Sequence, residues 1–412
     1  MSGQIISGAR ELARDDLMAR VARSAGGFAA LGVVEDSAVT MMLRNDFAFF
    51  EAAMGAALVG AYAVPINWHF KPEEAGHILR DCGARVLVIH ADLLPQVAGV
   101  VPDGCQIFVG PTPPGIQAAY GIAAEAGAAP GNLADWNSWL SNQPAWTEPP
   151  RPARTNMIYT SGTTGAPKGI LHAHKDYPLT AQLWGVNVLG LTESDRTFGA
   201  PKLFFTFGLG GVLIFPWYVG ASVVLFHGSP RVATDVLGII DQFKPTIMYH
   251  APTGYAATLA VENFTKDYDL SSLRLCVSAG ESLPGPVWER WKEATGVDII
   301  DGIGSTENFH IFLSNRPGDI RPGSSGKPFD GYELKIVDDD FNEVPRGEIG
   351  NLLVKGETAA LFYLHQYERS QQTFLGPWLF TGDKYYIDED GYYWHAGRSD
   401  DMMKVGGIWV SP

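Results

Sequence analysis

Residues 160–170 combine side chains that could hold a polyphosphate. They read TSGTTGAPKGI and follow the strand-like run 157–159, so three glycines, four hydroxyl residues and Lys168 fall within eleven positions. Glycines let backbone N–H groups approach a ligand closely, hydroxyls donate further hydrogen bonds, and a lysine supplies a positive charge. The segment therefore predicts a loop that wraps a polyphosphate, and with it a protein that uses a nucleotide.

Residue order separates this segment from the commoner phosphate loops. A Walker A loop needs a glycine, four residues and then Gly-Lys-Ser/Thr. Here Lys168 precedes Gly169 and the apolar Ile170 follows, so that motif is excluded. A dinucleotide-binding Gly-x-Gly-x-x-Gly is also excluded, because no glycine lies between Gly162 and Gly165. The remaining alternative is an ordinary surface loop, and a string this long and ordered argues against it.

Three further segments carry chemistry. Residues 301–307 read DGIGSTE, in which two glycines would let a flat ring lie on the backbone and Glu307 offers a hard oxygen to Mg²⁺. Residues 381–383 read TGD, and a carboxylate after a glycine turn can accept hydrogen bonds from both hydroxyls of a ribose. Residues 278–284 read SAGESLP, which also fits a strand-to-helix turn. Each segment alone could be an ordinary turn, so a function is indicated only by the occurrence of all of them in one chain.

With residues 397–407 (GRSDDMMKVGG), these segments closely resemble the motifs of the adenylate-forming superfamily: acyl-CoA synthetases, luciferase-type enzymes and peptide-synthetase adenylation domains. The resemblance implies catalytic roles for Lys168, Thr164 and Glu307, with Thr164 and Glu307 also on Mg²⁺. It makes Asp400 a hinge, and it implies that Asp383 and Arg398 hold the ribose. The residues that it assigns to ATP or AMP are Thr160, Ser161, Gly162, Thr163, Thr164, Gly165, Lys168, Gly280, Glu281, Ser282, Asp301, Gly302, Ile303, Ser305, Thr306, Asp383 and Arg398.

Two stretches resemble one subgroup, the benzoate-CoA ligases. They are residues 201–210 (PKLFFTFGLG) and 306–315 (TENFHIFLSN). The subgroup commonly has Ala-Tyr where this chain has Thr206 and Phe207. The substituents on the ring of the substrate acid, and whether that acid is aromatic, are therefore left open. His310 has a second interpretation as a core histidine. The substrate-binding residues that the resemblance implies are Thr206, Phe207, Gly304, His310, Ile311 and Lys404, the last of which could instead be a surface lysine.

The resemblance implies a two-step ligase. A carboxylate would attack the α-phosphate of ATP to give an acyl-AMP, and the thiol of coenzyme A would then displace AMP. The expected cofactors and co-substrates are ATP, Mg²⁺ and coenzyme A, and the expected substrate is an aromatic or cyclic carboxylic acid. The alternatives are a medium-chain fatty acid–CoA ligase, an adenylation module that loads a carrier-protein thiol, and a nucleotide-binding sensor without catalysis.

Composition limits the partners. The 412 residues carry a formal net charge of −15 and are 46% hydrophobic, which is typical of a globular protein and argues against nucleic acid as a partner. Three widely spaced cysteines favour a reducing, cytoplasmic location. Residues 204–226 carry no formal charge, but their glycines and Pro216 favour a buried helix and strand over a membrane span. The oligomeric state is left open between monomer and homodimer.

Apolar periodicity predicts an α/β fold of stacked βαβ subdomains with largely parallel sheets and a small β-barrel-like subdomain. Residues 9–30 read as a helix and residues 110–155 as a long irregular connection. The predicted AMP-binding domain, residues 1–400, contains α/β subdomains 1–155 and 156–320 and a β-rich subdomain 321–397. Residues 398–412 are expected to be a hinge and the start of a missing C-terminal domain, so we expect this chain to adenylate poorly alone.

Overall fold

The computed structural model describes residues 3–151, 155–162, 165–398, 403–405 and 408–410. The strands are β1 (Gln4–Ser7), β2 (Arg10–Ala13), β3 (Ala38–Met42), β4 (Tyr62–Pro65), β5 (Ala84–His90), β6 (Gln106–Gly110), β7 (Ala134–Asp135), β8 (Thr155–Gly162), β9 (Gly165–Ala173), β10 (Arg196–Gly199), β11 (Ser222–Leu225), β12 (Ile247–His250), β13 (Leu275–Ser278), β14 (Ile299–Gly304), β15 (Ile311–Ser314), β16 (Lys327–Pro328), β17 (Tyr332–Val337), β18 (Gly350–Gly356), β19 (Phe362–Tyr363), β20 (Phe374–Leu375), β21 (Trp378–Ile387), β22 (Tyr393–Arg398), β23 (Met403–Val405) and β24 (Ile408–Val410).

Helices connect most of these strands. They are α1 (Arg14–Ala30), α2 (Phe47–Leu58), α3 (Pro72–Asp81), α4 (Leu94–Val97), α5 (Pro114–Tyr120), α6 (Trp136–Ser141), α7 (Asp176–Thr180), α8 (Thr206–Leu209), α9 (Phe215–Val219), α10 (Ala233–Phe243), α11 (Pro252–Leu259), α12 (Phe264–Asp267), α13 (Gly285–Thr295) and α14 (Tyr367–Thr373), with π-helical turns at Ala181–Val186 and Gly210–Ile214. Within the described part of the chain, no helix combines the length and apolar character that a bilayer crossing requires.

Two parallel sheets form the α/β part. One has the order β4-β3-β5-β6-β7, and the other is a nine-stranded sheet with the order β16-β15-β14-β13-β12-β10-β11-β1-β2. The central strands of the larger sheet, from β14 to β1, all pair in parallel, whereas β2, β15 and β16 are antiparallel. Parallel strands covered on both faces need apolar runs, which β5 and β13 provide. The predicted α/β class with largely parallel sheets is confirmed.

A smaller antiparallel sheet follows in the chain. It has the order β17-β18-β21-β20, with β22 added to β21. It lies within the range predicted to be β-rich, because the short alternating runs there give the period of two that antiparallel strands need. A separate three-stranded sheet, β19-β9-β8, carries the predicted phosphate segment.

Two predictions about elements are wrong. Residues 10–13 form β2 instead of the start of the predicted helix 9–30, which begins at Arg14. The reason is that β2 pairs with β1, whose Ile5 and Ile6 pair with Val223 and Val224 of β11, more than 200 positions away in the chain. Residues 110–155 are not an irregular connection, since they contain α5, β7 and α6. Trp136 of α6 is buried and packs near Phe28, a contact that local sequence does not reveal.

Candidate functional site

Two adjoining cavities lie where β13 and β14 end. The first, which we call the polar cavity, has a volume of about 690 Å³, and the second, the apolar cavity, about 900 Å³. Carboxyl ends of parallel strands are common ligand sites, because loops of different lengths diverge there. The residues that line both cavities are Gly280, Glu281, Gly304, Ser305 and Thr306. The segments after β13 and β14 therefore form the wall between the two spaces.

Most of the residues predicted to bind ATP or AMP line the polar cavity. They are Thr160, Lys168, Gly280, Glu281, Ser282, Asp301, Gly302, Ile303, Ser305, Thr306, Asp383 and Arg398, together with Glu307. Ser161, Gly162 and Gly165 lie in the β8–β9 hairpin. Thr163, Thr164 and Asp400 fall outside the described residues, and Lys404 lies in β23.

The predicted phosphate loop is mostly a hairpin. Thr160 pairs with Lys168 and Gly162 with Gly165, so the strands extend further into the segment than predicted. The error has a physical cause: β9 also pairs with β19, and this third strand satisfies backbone groups that would otherwise need water. The hairpin still brings Lys168 to the polar cavity.

Lys168 lies in a buried polar cluster with Glu307 and Tyr363. Its Nζ donates hydrogen bonds to Oε1 of Glu307 at 2.9 Å and to the hydroxyl of Tyr363 at 3.0 Å. The Tyr363 hydroxyl in turn donates to the same carboxylate oxygen at 2.7 Å. Burial alone would raise the pKa of Glu307, but the charge and hydrogen bond of Lys168, aided by Tyr363, lower it below its usual value. Glu307 is therefore an anion at physiological pH, with an ammonium beside it.

Asp383 and Arg398 face each other on neighbouring strands. They are paired in register between β21 and β22, and Arg398 Nη1 donates to Asp383 Oδ1 at 2.9 Å. Arg398 also donates to the carbonyl of Thr381 at 3.3 Å. The other Asp383 oxygen takes no part in this ion pair, so the carboxylate can accept hydrogen bonds from a ligand in the polar cavity.

Asp301 differs from these two acids. It is buried in the middle of β14, and burial raises its pKa to about 8. The carboxyl is therefore largely neutral near pH 7, in contrast to Glu307 in the same cavity. A neutral acid can both donate and accept a hydrogen bond, as the edge of a nucleobase requires. On the same wall, Ser282 is within 3.2 Å of Nδ1 of His395, which ties the segment after β13 to β22.

The predicted acyl pocket residues line the apolar cavity. Thr206, Phe207, Gly304, His310 and Ile311 all contribute to it. His310 is buried, and its ring centroid lies 5.7 Å from that of Phe207. Burial lowers the pKa of His310 to about 3, so the ring is neutral at physiological pH. This part of the cavity is therefore aromatic and uncharged.

Two residues of the site were not predicted from the sequence. Tyr363 completes the Lys168 cluster, but it lies in the two-residue strand β19 and no motif marks it. Lys202 lines the apolar cavity and is buried. It lies inside the quoted segment 201–210, and a lysine amid apolar residues is the signal that could have identified it.

Comparison with known proteins decides the family. A family model described as "AMP-binding enzyme" matches residues 4–364. The chain belongs to the AMP-binding enzyme family. The predicted resemblance to adenylate-forming enzymes is thereby confirmed, and CoA ligases of this AMP-binding family use ATP and coenzyme A.

Similar proteins narrow the position of the chain within the AMP-binding family. A benzoate–CoA ligase of Thauera aromatica is 40% identical over 401 residues, which are 97% of this chain and 73% of that protein. A crystal structure of an anthranilate CoA ligase in complex with anthranoyl-AMP has a TM-score of 0.93 and 55% identity, covering 100% of this chain and 77% of that one. A benzoate CoA ligase of Burkholderia xenovorans LB400 has a TM-score of 0.88 and 32% identity, with coverage of 100% and 79%. The predicted similarity to benzoate-CoA ligases is confirmed.

Proposed function

We propose that the chain is an ATP-dependent ligase that joins an aromatic carboxylic acid to coenzyme A with release of AMP and pyrophosphate. The observation that carries this proposal is the common wall of the two cavities, which includes Gly304, Ser305 and Thr306. A nucleotide in the polar cavity and an acid in the apolar cavity would meet at this wall. The relatives named as benzoate and anthranilate ligases support the same activity.

The first step joins the acid to the nucleotide. A carboxylate oxygen attacks the α-phosphorus of ATP, and the bond from that phosphorus to the bridging oxygen breaks, so pyrophosphate leaves. Negative charge builds on the pyrophosphate, and preorganised positive groups stabilise it. Lys168 is the proposed group, since its ammonium is already held at the polar cavity by Glu307 and Tyr363.

Glu307 is the proposed ligand for Mg²⁺, together with Thr164. Mg²⁺ commonly binds through one or two carboxylates plus the substrate phosphates, and Glu307 supplies an ionised carboxylate at the cavity. Among the described residues, no group of three or more His, Cys, Asp or Glu side chains could hold a metal ion. When bound, the ion would neutralise phosphate charge.

The nucleoside has proposed contacts on two sides of the polar cavity. Asp383 and Arg398 would hold the ribose, and residues 301–303 would contact the adenine. The ion pair orients the Asp383 carboxylate, which leaves an oxygen for the ribose hydroxyls. Asp400 as a hinge and Lys404 near the substrate carboxylate stay predictions, as do the subdomain boundaries and the cytoplasmic location.

The proposed acid is an aromatic one without a second charge. Phe207 and His310 line the apolar cavity with their ring centroids 5.7 Å apart, and the buried Phe215 packs against His310 at 4.7 Å. A neutral histidine and aromatic rings favour a flat apolar ring over a charged substituent. Benzoate and its amino and hydroxy derivatives fit this description, and Thr206 offers a hydroxyl to such a substituent.

The proposal is tested by an acid panel and an acceptor comparison. The intact natural protein is incubated with ATP, Mg²⁺ and benzoate, 2-aminobenzoate, 4-hydroxybenzoate or octanoate, and AMP release is followed with coenzyme A or with a phosphopantetheinyl carrier protein. We expect AMP release that requires an aromatic acid and coenzyme A. Preference for octanoate would overturn the substrate class, and preference for the carrier protein would favour an adenylation module.

A further inference from the structure

Lys202 is a buried lysine on the wall of the apolar cavity. It follows β10, is 6% exposed, and lies on the cavity wall together with Thr206 and His310. Its Nζ donates one hydrogen bond, to the carbonyl of Gly228 at 3.1 Å. Among the described side chains, no carboxylate lies within ion-pair distance of Nζ. Its Nζ lies 5.0 Å from the ring centroid of Phe226 and 5.8 Å from that of Tyr120, so a carbonyl and two aromatic faces take the place of the anion that a buried lysine usually has.

The groups around Lys202 are mostly basic. Arg44 and His250 both interact with it electrostatically, and so do His69 and His227. Arg231 lies on the rim of the cavity. Asp92 is engaged by Arg44 at 2.6 Å and Asp46 by Arg10, while Glu281 on the cavity wall and Asp235 beside Gly228 are exposed. Burial, followed by the charge of Arg44, lowers the pKa of Lys202 to about 7. Above that pH the amine is mostly neutral and carries a lone pair.

The other basic side chains on this wall are less suited to accept a proton. Arg231 is a guanidinium that stays protonated. His250 accepts a hydrogen bond at Nδ1 from the backbone N–H of Ala251 at 2.9 Å, so its ring proton is on Nε2 and no lone pair is left. His69 is exposed at the rim. Among the described residues that line the cavity, Lys202 is the buried base whose pKa lies near 7.

We propose that Lys202 is the general base that removes the proton from the acceptor thiol in the second half-reaction. This inference rests on the proposed acid–CoA ligase function. The cavity, at about 900 Å³, is larger than a single aromatic ring needs, so a thiol can enter beside the acyl group along the wall that Lys202 borders.

The step balances without another reactant. Nζ takes the thiol proton, and the sulfur forms a bond to the acyl carbonyl carbon. The bond from that carbon to the phosphate oxygen of AMP breaks, and AMP leaves with the electron pair. The Lys202 ammonium then gives its proton to water, which the neighbouring Arg44 favours by repulsion.

The test separates the two half-reactions in the intact natural protein. Synthetic benzoyl-AMP plus coenzyme A reports thiol transfer, and ATP–pyrophosphate exchange with benzoate reports adenylation. For the unmodified protein, thiol transfer should rise with pH and level off above an apparent pKa near 7. Lys202→Met should slow thiol transfer about 100-fold at pH 8, because general-base catalysis is worth roughly this factor or more. The variant should also lose the rise in rate with pH. The rate of ATP–pyrophosphate exchange in Lys202→Met should stay within about threefold of the unmodified protein. Such a result would show that Lys202 acts in thiol transfer and not in adenylation.

Two further measurements exclude a purely structural role. Adding ethylamine to Lys202→Ala should restore part of its rate of thiol transfer. With an acceptor thiol that is already ionised, the rate of thiol transfer in Lys202→Met should lie closer to that of the unmodified protein. Lys266→Met, a change at an exposed lysine, is the matched control and should behave like the unmodified protein. An unchanged pH profile in Lys202→Met, or equal losses in both half-reactions without amine rescue, would overturn the proposal. If the unmodified protein forms no benzoyl-CoA, the proposed function itself fails.

Discussion

The Nζ atom of Lys168 lies 2.9 Å from Oε1 of Glu307, although 139 positions separate the two residues in the chain. The contact joins the β8–β9 hairpin to the segment after β14, on the wall of the polar cavity. It places a cation and an anion where nucleotide phosphates and their metal ion would need opposite charges. The two residues should therefore act as a unit.

Lys168→Met and Glu307→Gln should be strongly non-additive. Each single change leaves a buried charge without its partner, so each should lower ATP–pyrophosphate exchange by about 100-fold or more. The double variant should lose little beyond the worse single one, and a double-mutant cycle of exchange rates measures the coupling. Tyr363→Phe, which removes only the bridging hydroxyl, is the milder control. Fully additive losses would mean that the pair does not act together.

Asp383→Asn should weaken ATP binding because it removes the carboxylate that would contact the ribose hydroxyls. The change keeps the size of the side chain but removes the charge that pairs with Arg398. A hydrogen bond to a charged group contributes about 1.5–3 kcal/mol, so calorimetry should show an affinity for ATP that is at least about tenfold lower. The loss should be much smaller for 2′-deoxy-ATP, which lacks one of the hydroxyls. Equal losses for both nucleotides would remove Asp383 from the ribose contact.

Gly304→Ala should damage both cavities at once. A Cβ at Gly304 would lie 2.6 Å from the carbonyl oxygen of His310 and 2.8 Å from the N of Ile311, and both are backbone atoms that cannot turn away. We expect weaker binding of ATP and of acid, and a lower unfolding temperature. Gly238→Ala is the matched control, since a Cβ there meets open space in α10. It should stabilise the protein by up to about 1 kcal/mol and leave activity unchanged. Normal activity in Gly304→Ala would contradict the common wall.

Asp301→Asn should gain stability relative to the unmodified protein as the pH rises. Burial raises the folded pKa of Asp301 to about 8, whereas the unfolded carboxyl titrates near 3.8. Between these values the unfolded state releases its proton more readily, so this group lowers the free energy of unfolding as pH increases. The asparagine does not titrate. The difference in unfolding temperature between variant and unmodified protein should therefore shift in favour of the variant from pH 5 to pH 8, and a constant difference would show that Asp301 is ionised in the fold.

Contiguous motifs made much of the site predictable. Asp301 and Glu307 belong to one short segment at the end of a strand, so their common location follows from local sequence. The parallel sheets were also predictable from the sequence, because apolar runs such as β5 and β13 are bounded by turns and helices. In each case the information lies within about ten residues of chain.

What the sequence did not predict depends on distant partners. The segment 160–170 is a hairpin because Ile170 pairs with Tyr363, whose strand has only two residues. β1 exists because Ile5 pairs with Val223. Lys202 is a functional candidate because the fold buries it on the cavity wall and brings Arg44 beside it. The two strand pairings leave no periodic or compositional signal, whereas the lysine at position 202 stands out among apolar neighbours.

Isotope transfer tests the central claim most directly. The intact natural protein is incubated with ATP, Mg²⁺, coenzyme A and benzoate that carries ¹⁸O in its carboxylate, and the products are analysed by mass spectrometry. Attack of the carboxylate on the α-phosphorus predicts one ¹⁸O atom in the AMP and benzoyl-CoA as the co-product. ADP as the product, or ¹⁸O in phosphate or pyrophosphate with unlabelled AMP, would contradict activation through an acyl-adenylate.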